Sequence, residues 1–238
     1  MRIALLLLLL LPGTVAAQGI SLDLGATGGG STARLIQLTA LIGVLSLAPA
    51  LLVMVTAFAR IIIVLSLLRS AIGAPAIPPN PVLIALALFL TLFVMQPTFA
   101  QIKKDAWDPL QKHKITQVEA LDRAQGPMRE FMFRQTRNKD IALFAGMAKL
   151  DRPKTRADIP TYVLIPAFVI SELKTAFQIG FLIFLPFLVI DLVVSSTLMS
   201  MGMVMLPPVF ISLPFKILLF VLVDGWNLIT RSLVESFH

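Results

Sequence analysis

The chain has 238 residues, of which 57% are hydrophobic and only 14% charged, against about 25% charged in a soluble globular domain, and that deficit points to lipid. It has no cysteine and two histidines, His113 and His238, which excludes disulfides, thiol nucleophiles and multi-histidine metal centres, so no metal or cofactor is expected. The net charge of +7 does not mark a nucleic-acid binder, because basic residues cluster between Lys103 and Ile159 among acidic ones, without a nucleic-acid-binding motif.

Residues 1–17 read as a cleavable signal peptide. Arg2 is a short basic start, and Ile3 to Leu11 is an apolar run too short to span about 30 Å of hydrocarbon. Val15-Ala16-Ala17 offers the small residues of a cleavage site after Ala17; the alternative is an uncleaved anchor. Residues 18–34 form a flexible mature N-terminus, with GATGGGST from Gly25 as its linker and Ser31 or Thr32 as a helix cap.

Residues 35–102 make a first helical membrane half. The apolar run to Leu68 is too long for one straight span, since about 20 residues suffice. One span is expected near Leu38 to Phe58, then an interfacial or re-entrant helix through Leu68. Gly73 to Pro79 is a turn, Asn80 caps, Pro81 takes the first helical position, and Val82 to Ile102 is the second span. Residues 103–159 form a polar, helical extracytoplasmic region, broken near Gly126-Pro127, with Met128 to Lys149 helical.

Residues 160–238 make the second membrane half. Tyr162 to Met205 carries Pro166 and Pro186, which kink a membrane helix; its length suits a bent hairpin, or two spans with a turn near Asp191 to Ser196. Leu206 to Val223 is the final span, closed by Asp224-Gly225-Trp226, with Trp226 as an interfacial anchor. The fold class is therefore all-α: a multi-pass membrane protein with kinked helical hairpins.

A cleaved signal puts the mature N-terminus outside. The first span then crosses inward, leaving Arg60 and Arg69 on the cytoplasmic side and residues 103–159 outside, most naturally in the periplasm. Lys103 and Lys104 at a span end favour the reverse by the positive-inside rule, which long loops weaken; the signal decides.

Four charges fall inside apolar segments: Glu172, Lys174, Asp191 and Lys216. Each costs about 2.5–3.5 kcal/mol at a bilayer centre, so such groups face protein or water. Glu172 and Lys174, two apart, point away from each other on a helix. Glu172 needs a cation from another helix, with Lys216 the obvious partner and Asp191 a competitor for it. Either these form a structural ion pair joining helices or subunits, or one carboxylate gates or relays protons. Met199, Met201, Met203 and Met205 recur every second residue. That spacing scatters them around a helix but aligns them on an extended strip, which Gly202 and Pro207-Pro208 favour. Flexible, apolar thioethers suit a yielding closure element, and equally suit ordinary core packing. No nucleotide-binding, hydrolase or metalloprotease motif is present, so catalysis is not expected.

Several stretches carry a resemblance. They are TAFARIIIVLSLLRS from Thr56, PPN from Pro78 with the apolar run to Thr91, FMFRQTR from Phe131, IPAFVISELKTAFQIGF from Ile165, MSMGMVMLPP from Met199 and VDGWN from Val223. Together they resemble the FliP family of flagellar biosynthetic proteins, over nearly everything after Val53. The resemblance implies a non-enzymatic, homo-oligomeric subunit of the flagellar type III export gate in a bacterial inner membrane, at the basal body. It implies assembly with FliQ and FliR beside FlhB and FlhA, passing unfolded flagellar subunits. It further implies a pore-closing role for Met199, Met201, Met203 and Met205, an assembly pairing at Glu172 and Lys216, and an external polar loop. The alternatives are a homologous virulence-type gate subunit and an ion-coupled small-solute transporter, which would want repeats and a polar midplane site.

Overall fold

The computed structural model describes residues 36, 38–40, 42, 43, 46, 53–150, 155–203 and 205–237. The expected signal peptide and the linker with its cap lie outside them, as do nine of the 21 residues of the first expected span. The chain divides into two units, residues 1–47 and 48–238. In the first, every described residue is helical, and the Ser46 hydroxyl donates to the Gly43 carbonyl at 2.8 Å.

Every regular element described in the second unit is helical. These are α1 (Phe58–Ile72), α2 (Asn80–Ile102), a π turn (Lys103–Trp107), α3 (Asp108–Gln111), α4 (Gln117–Gln135), α5 (Asn138–Met147), a 3₁₀ turn (Arg156–Asp158), α6 (Thr161–Ser200), α7 (Pro208–Leu222) and α8 (Gly225–Glu235). Among the described residues, two helices are long and apolar enough to cross a membrane: the 32-residue run Asn80–Gln111, and α6 with 40 residues. The pair α7 and α8, bent by 65°, makes a third crossing if it counts as one span. The all-helical membrane fold read from composition is the fold observed.

α1 and α6 run parallel and form the central contact. Arg60 meets Glu172 at one end, and Leu67 meets Gly180 two turns on. A Cβ on Gly180 would lie 2.2 Å from Leu67 Cδ1, so glycine is what lets the two backbones approach. α2 returns antiparallel to α1 after the Gly73 turn, where Arg69 Nη1 donates to Asn80 Oδ1 at 2.7 Å. Asn80 is thus held by an arginine and does not cap α2, which Pro79 precedes in extended conformation. The core joins Ile61, Leu65, Leu83, Met95, Phe131, Leu164 and Phe168 from α1, α2, α4 and α6.

Two expected breaks moved. α6 is continuous through Asp191–Ser196, and the hairpin turn comes at residues 201–207. Serine and threonine did not break it because Ser196, Thr197 and Ser200 return their hydroxyls to carbonyls three or four residues back. α4 runs through Gly126-Pro127, with Pro127 buried, and ends at Thr136. There the Arg137 amide leaves the helix for Ser171 Oγ at 3.1 Å, a tertiary bond no local signal announces. The last apolar helix ends where expected, at Leu222, and after the left-handed Asp224 (φ 50°) the chain enters a further helix, α8, that was not expected. Gly225 is required there, since its Cβ would overlap the Phe220 ring at 2.2 Å. Trp226 packs edge-on against that ring at 5.4 Å.

Candidate functional site

The apolar helices hide one guanidinium completely. Arg60 on α1 is 2% exposed and Glu172 on α6 is fully buried. Arg60 Nε donates to Glu172 Oε2 at 2.8 Å, and Nη2 contacts Glu172 Oε1, giving a bidentate pair. Nη2 also donates to Gln135 Oε1 at the end of α4 (2.9 Å), and Nη1 donates to the carbonyl (2.8 Å) and hydroxyl (3.1 Å) of Ser236. All five guanidinium donors are therefore used. The Phe237 ring lies 3.9 Å over the guanidinium carbon and stacks on Phe131, while Gln135 Nε2 donates to the Phe237 carbonyl at 2.9 Å. One buried cation thus ties together α1, α4, α6 and the C-terminal end of the chain.

This corrects the expected pairing. Within the chain Glu172 does not meet Lys216. Lys216, 5% exposed, bonds Asp191 Oδ2 at 2.6 Å, and the buried Ser212 hydroxyl donates to Asp191 Oδ1 at 2.7 Å. The pair joins α6 to α7, and a Cβ on Gly73 would come within 3.8 Å of Lys216 Nζ. Arg60 was expected on the opposite side from the polar helices, but its direct bond to Gln135 puts it at their level. Charge counting is the signal that could have found it, since a lone arginine in an apolar run needs a carboxylate as much as Lys216 does.

A third join holds the polar hairpin to α6. Ser171, next to Glu172, donates to Asp140 Oδ2 at 2.5 Å, and Arg137 pairs with the same oxygen at 2.6 Å. Burial pushes the Asp140 carboxyl up, but the Ser171 hydroxyl and the Arg137 charge outweigh it and hold the group below the usual carboxylate range. Asp140 was not singled out by sequence, and Arg137 entered only as the end of the FMFRQTR stretch. Lys174, one turn beyond Ser171, is exposed and lies apart from the buried Glu172.

The methionines lie at the tip of the α6–α7 hairpin. Met199 is in the last turn of α6, and Met201, Met203 and Met205 follow in the connection. The helix is stopped by Gly202 in left-handed conformation (φ 75°): the Met203 amide reaches the Leu198 carbonyl and the Gly202 amide the Met199 carbonyl, each at 3.0 Å. Exposure runs from 45% at Met203 to 98% at Met205, so these side chains fill no core within the chain. Met199 is still helical, and Met201 and Gly202 form the turn that ends the helix, so the described residues there break the helix without forming an extended strip.

A sequence profile of the FliP family matches residues 41–233. The chain is 59% identical to the flagellar biosynthetic protein FliP of Bacillus subtilis (strain 168), over 85% of this chain and 91% of that one. It is 54% identical to the same-named protein of Caulobacter vibrioides, over 96% and 86%. The Aquifex aeolicus protein of that name is 47% identical along the whole of both chains.

Proposed function

The chain belongs to the FliP family, and on that premise we propose that it is a pore-forming, non-catalytic subunit of the flagellar type III export gate in a bacterial inner membrane. Several copies assemble with partner subunits of the export apparatus around a conduit for unfolded flagellar subunits. The names of the relatives favour the flagellar gate over a virulence-type one.

The methionine turn is the observation that carries this reading. It presents flexible thioethers, exposed, on an irregular backbone ending a 40-residue apolar helix. Irregular backbone at membrane depth is tolerated only where protein buries it or water lines it. Copies arranged around an axis would converge such turns into a soft plug that reseals after each passing chain.

The apolar surface supports assembly. α6 is about 60 Å long at 1.5 Å per residue, twice the roughly 30 Å of hydrocarbon. The polar helices α4 and α5 flank its first third, through Phe131 on Phe168 and Asp140 on Ser171. On α2, Phe89 and Phe93 stand 70% and 68% exposed. Sister subunits and partners supply their cover. The expected signal peptide favours the extracytoplasmic side for the same polar helices.

Replacing Met201, Met203 and Met205 together with alanine, in a correctly assembled complex, should raise ion conductance of the resting channel in planar bilayers. Unchanged resting conductance would overturn the closure role. Solute uptake by a reconstituted monomer would favour the transporter alternative instead.

A further inference from the structure

We propose that Lys139 and Lys174, steadied by Arg137, bind the phosphate of an anionic phospholipid where the hydrocarbon begins, with an acyl chain lying along Phe177 and Phe181. The inference rests on the membrane reading above and adds a ligand to it.

Charge gives the first argument. Lys174 stands one turn beyond Ser171, whose oxygen bonds both Asp140 and the Arg137 amide, and this join brings Lys139 and Arg137 to its side with Asp140 as the nearby carboxylate. Asp140 is already taken by the Ser171 hydroxyl and by Arg137. Among the described residues neither lysine ion-pairs with a carboxylate of the chain. Both are exposed, so like charges abut at a surface that lacks its anion.

Depth gives the second. Above Lys174, α6 is flanked by polar helices. Below it, Thr175–Ile190 is 16 residues without a charge, ending at Asp191. That stretch is about 24 Å long. With a lysine stem reaching outward from its upper end, it matches one hydrocarbon thickness. α8 agrees independently: Ser236 bonds Arg60 at the level of Glu172, and the last turns of α8 carry the exposed Arg231–Glu235 pair. Two elements therefore bring exposed charge to the same height, where phosphates lie.

Shape gives the third. Phe177 and Phe181 follow Lys174 at three and seven residues, on the same helix face. They are 59% and 64% exposed. A cationic head above an open aromatic stripe fits a lipid better than a soluble anion, which would have no use for the stripe. Basic sites beside membrane helices recognise anionic headgroups in this way.

The test uses the assembled full-length complex in nanodiscs of equimolar phosphatidylglycerol and phosphatidylcholine, with retained lipid read by native mass spectrometry. Wild type should retain phosphatidylglycerol selectively. Lys139→Gln with Lys174→Gln should reduce that retention about 25-fold, because one basic side chain near an anionic surface is worth about fivefold. Lys103→Gln with Lys104→Gln, at the far end of α2, should leave it unchanged. Equal retention of both lipids by wild type, retention that survives the Lys139/Lys174 change, or equally tight binding of inorganic phosphate alone would overturn the proposal. So would a zero-length cross-link from Lys174 to a carboxylate of a second copy, which would make the missing anion a neighbouring subunit's. Membrane-fraction recovery is read on the same samples: a chain absent from membranes fails the underlying reading, and an inserted chain without lipid selectivity fails the site alone.

Discussion

Glu172→Ala strands the Arg60 guanidinium. In the native chain Arg60 is 2% exposed, and Glu172 accepts two of its five hydrogen bonds. The variant leaves those two donors facing a void, with the charge uncompensated. Removing one partner of a buried pair costs about 3–5 kcal/mol, a fall of roughly 150- to 4,000-fold in the folded ratio at 1.4 kcal/mol per decade. For a chain of this length, 1 kcal/mol moves the melting temperature by about 2–4 °C. The complex, where it forms, should therefore melt about 6–20 °C lower in detergent, and its yield on size exclusion should drop far more than export per surviving channel. Arg60→Met with Glu172→Leu should recover most of the loss, because a packed apolar pair replaces an ion pair at little or no cost. A Glu172→Ala complex melting within 2 °C of wild type would refute the claim that burial of the unpaired charge dominates. Normal yield with lost export would make Glu172 a transport residue and not an assembly one.

Deleting residues 236–238 removes both acceptors of Arg60 Nη1 and the ring over the guanidinium; a loss of about 2–4 kcal/mol is expected from unsatisfied buried donors, read as a lower melting temperature and faster chymotrypsin cleavage. Gly180→Val should cost about 3 kcal/mol through overpacking against Leu67, and Leu67→Ala in the same chain should restore much of it on a thermal melt. Asp140 has its folded pKa lowered, so its contribution is complete above the unfolded carboxylate value of about 3.9 and is lost as pH falls through the lower folded value. Hydrogen exchange of α5, corrected for intrinsic rates, should stay flat from pH 7 to 5 and rise only below about pH 4; a rise near pH 6 would show another group in control.

Composition and run length alone determined that this is an apolar, all-helical membrane chain with one polar helical insert, because hydrophobicity and its interruptions are local properties of the sequence. The break after α6 was legible for the same reason: a glycine and a proline pair are local signals, and Gly202 does end α6. Pairing was not legible. Glu172 chose Arg60 over Lys216 because α1 packs parallel to α6 through the Gly180 contact, a register that no residue spacing encodes. The end of α4 was set by Ser171 and not by Gly126-Pro127, since a tertiary hydrogen bond outbid a local helix breaker. The sealing of Arg60 by Ser236 and Phe237 joins residues 176 positions apart. Only the folded chain decides such a contact, because which buried donors meet which acceptors depends on how all the helices pack at once.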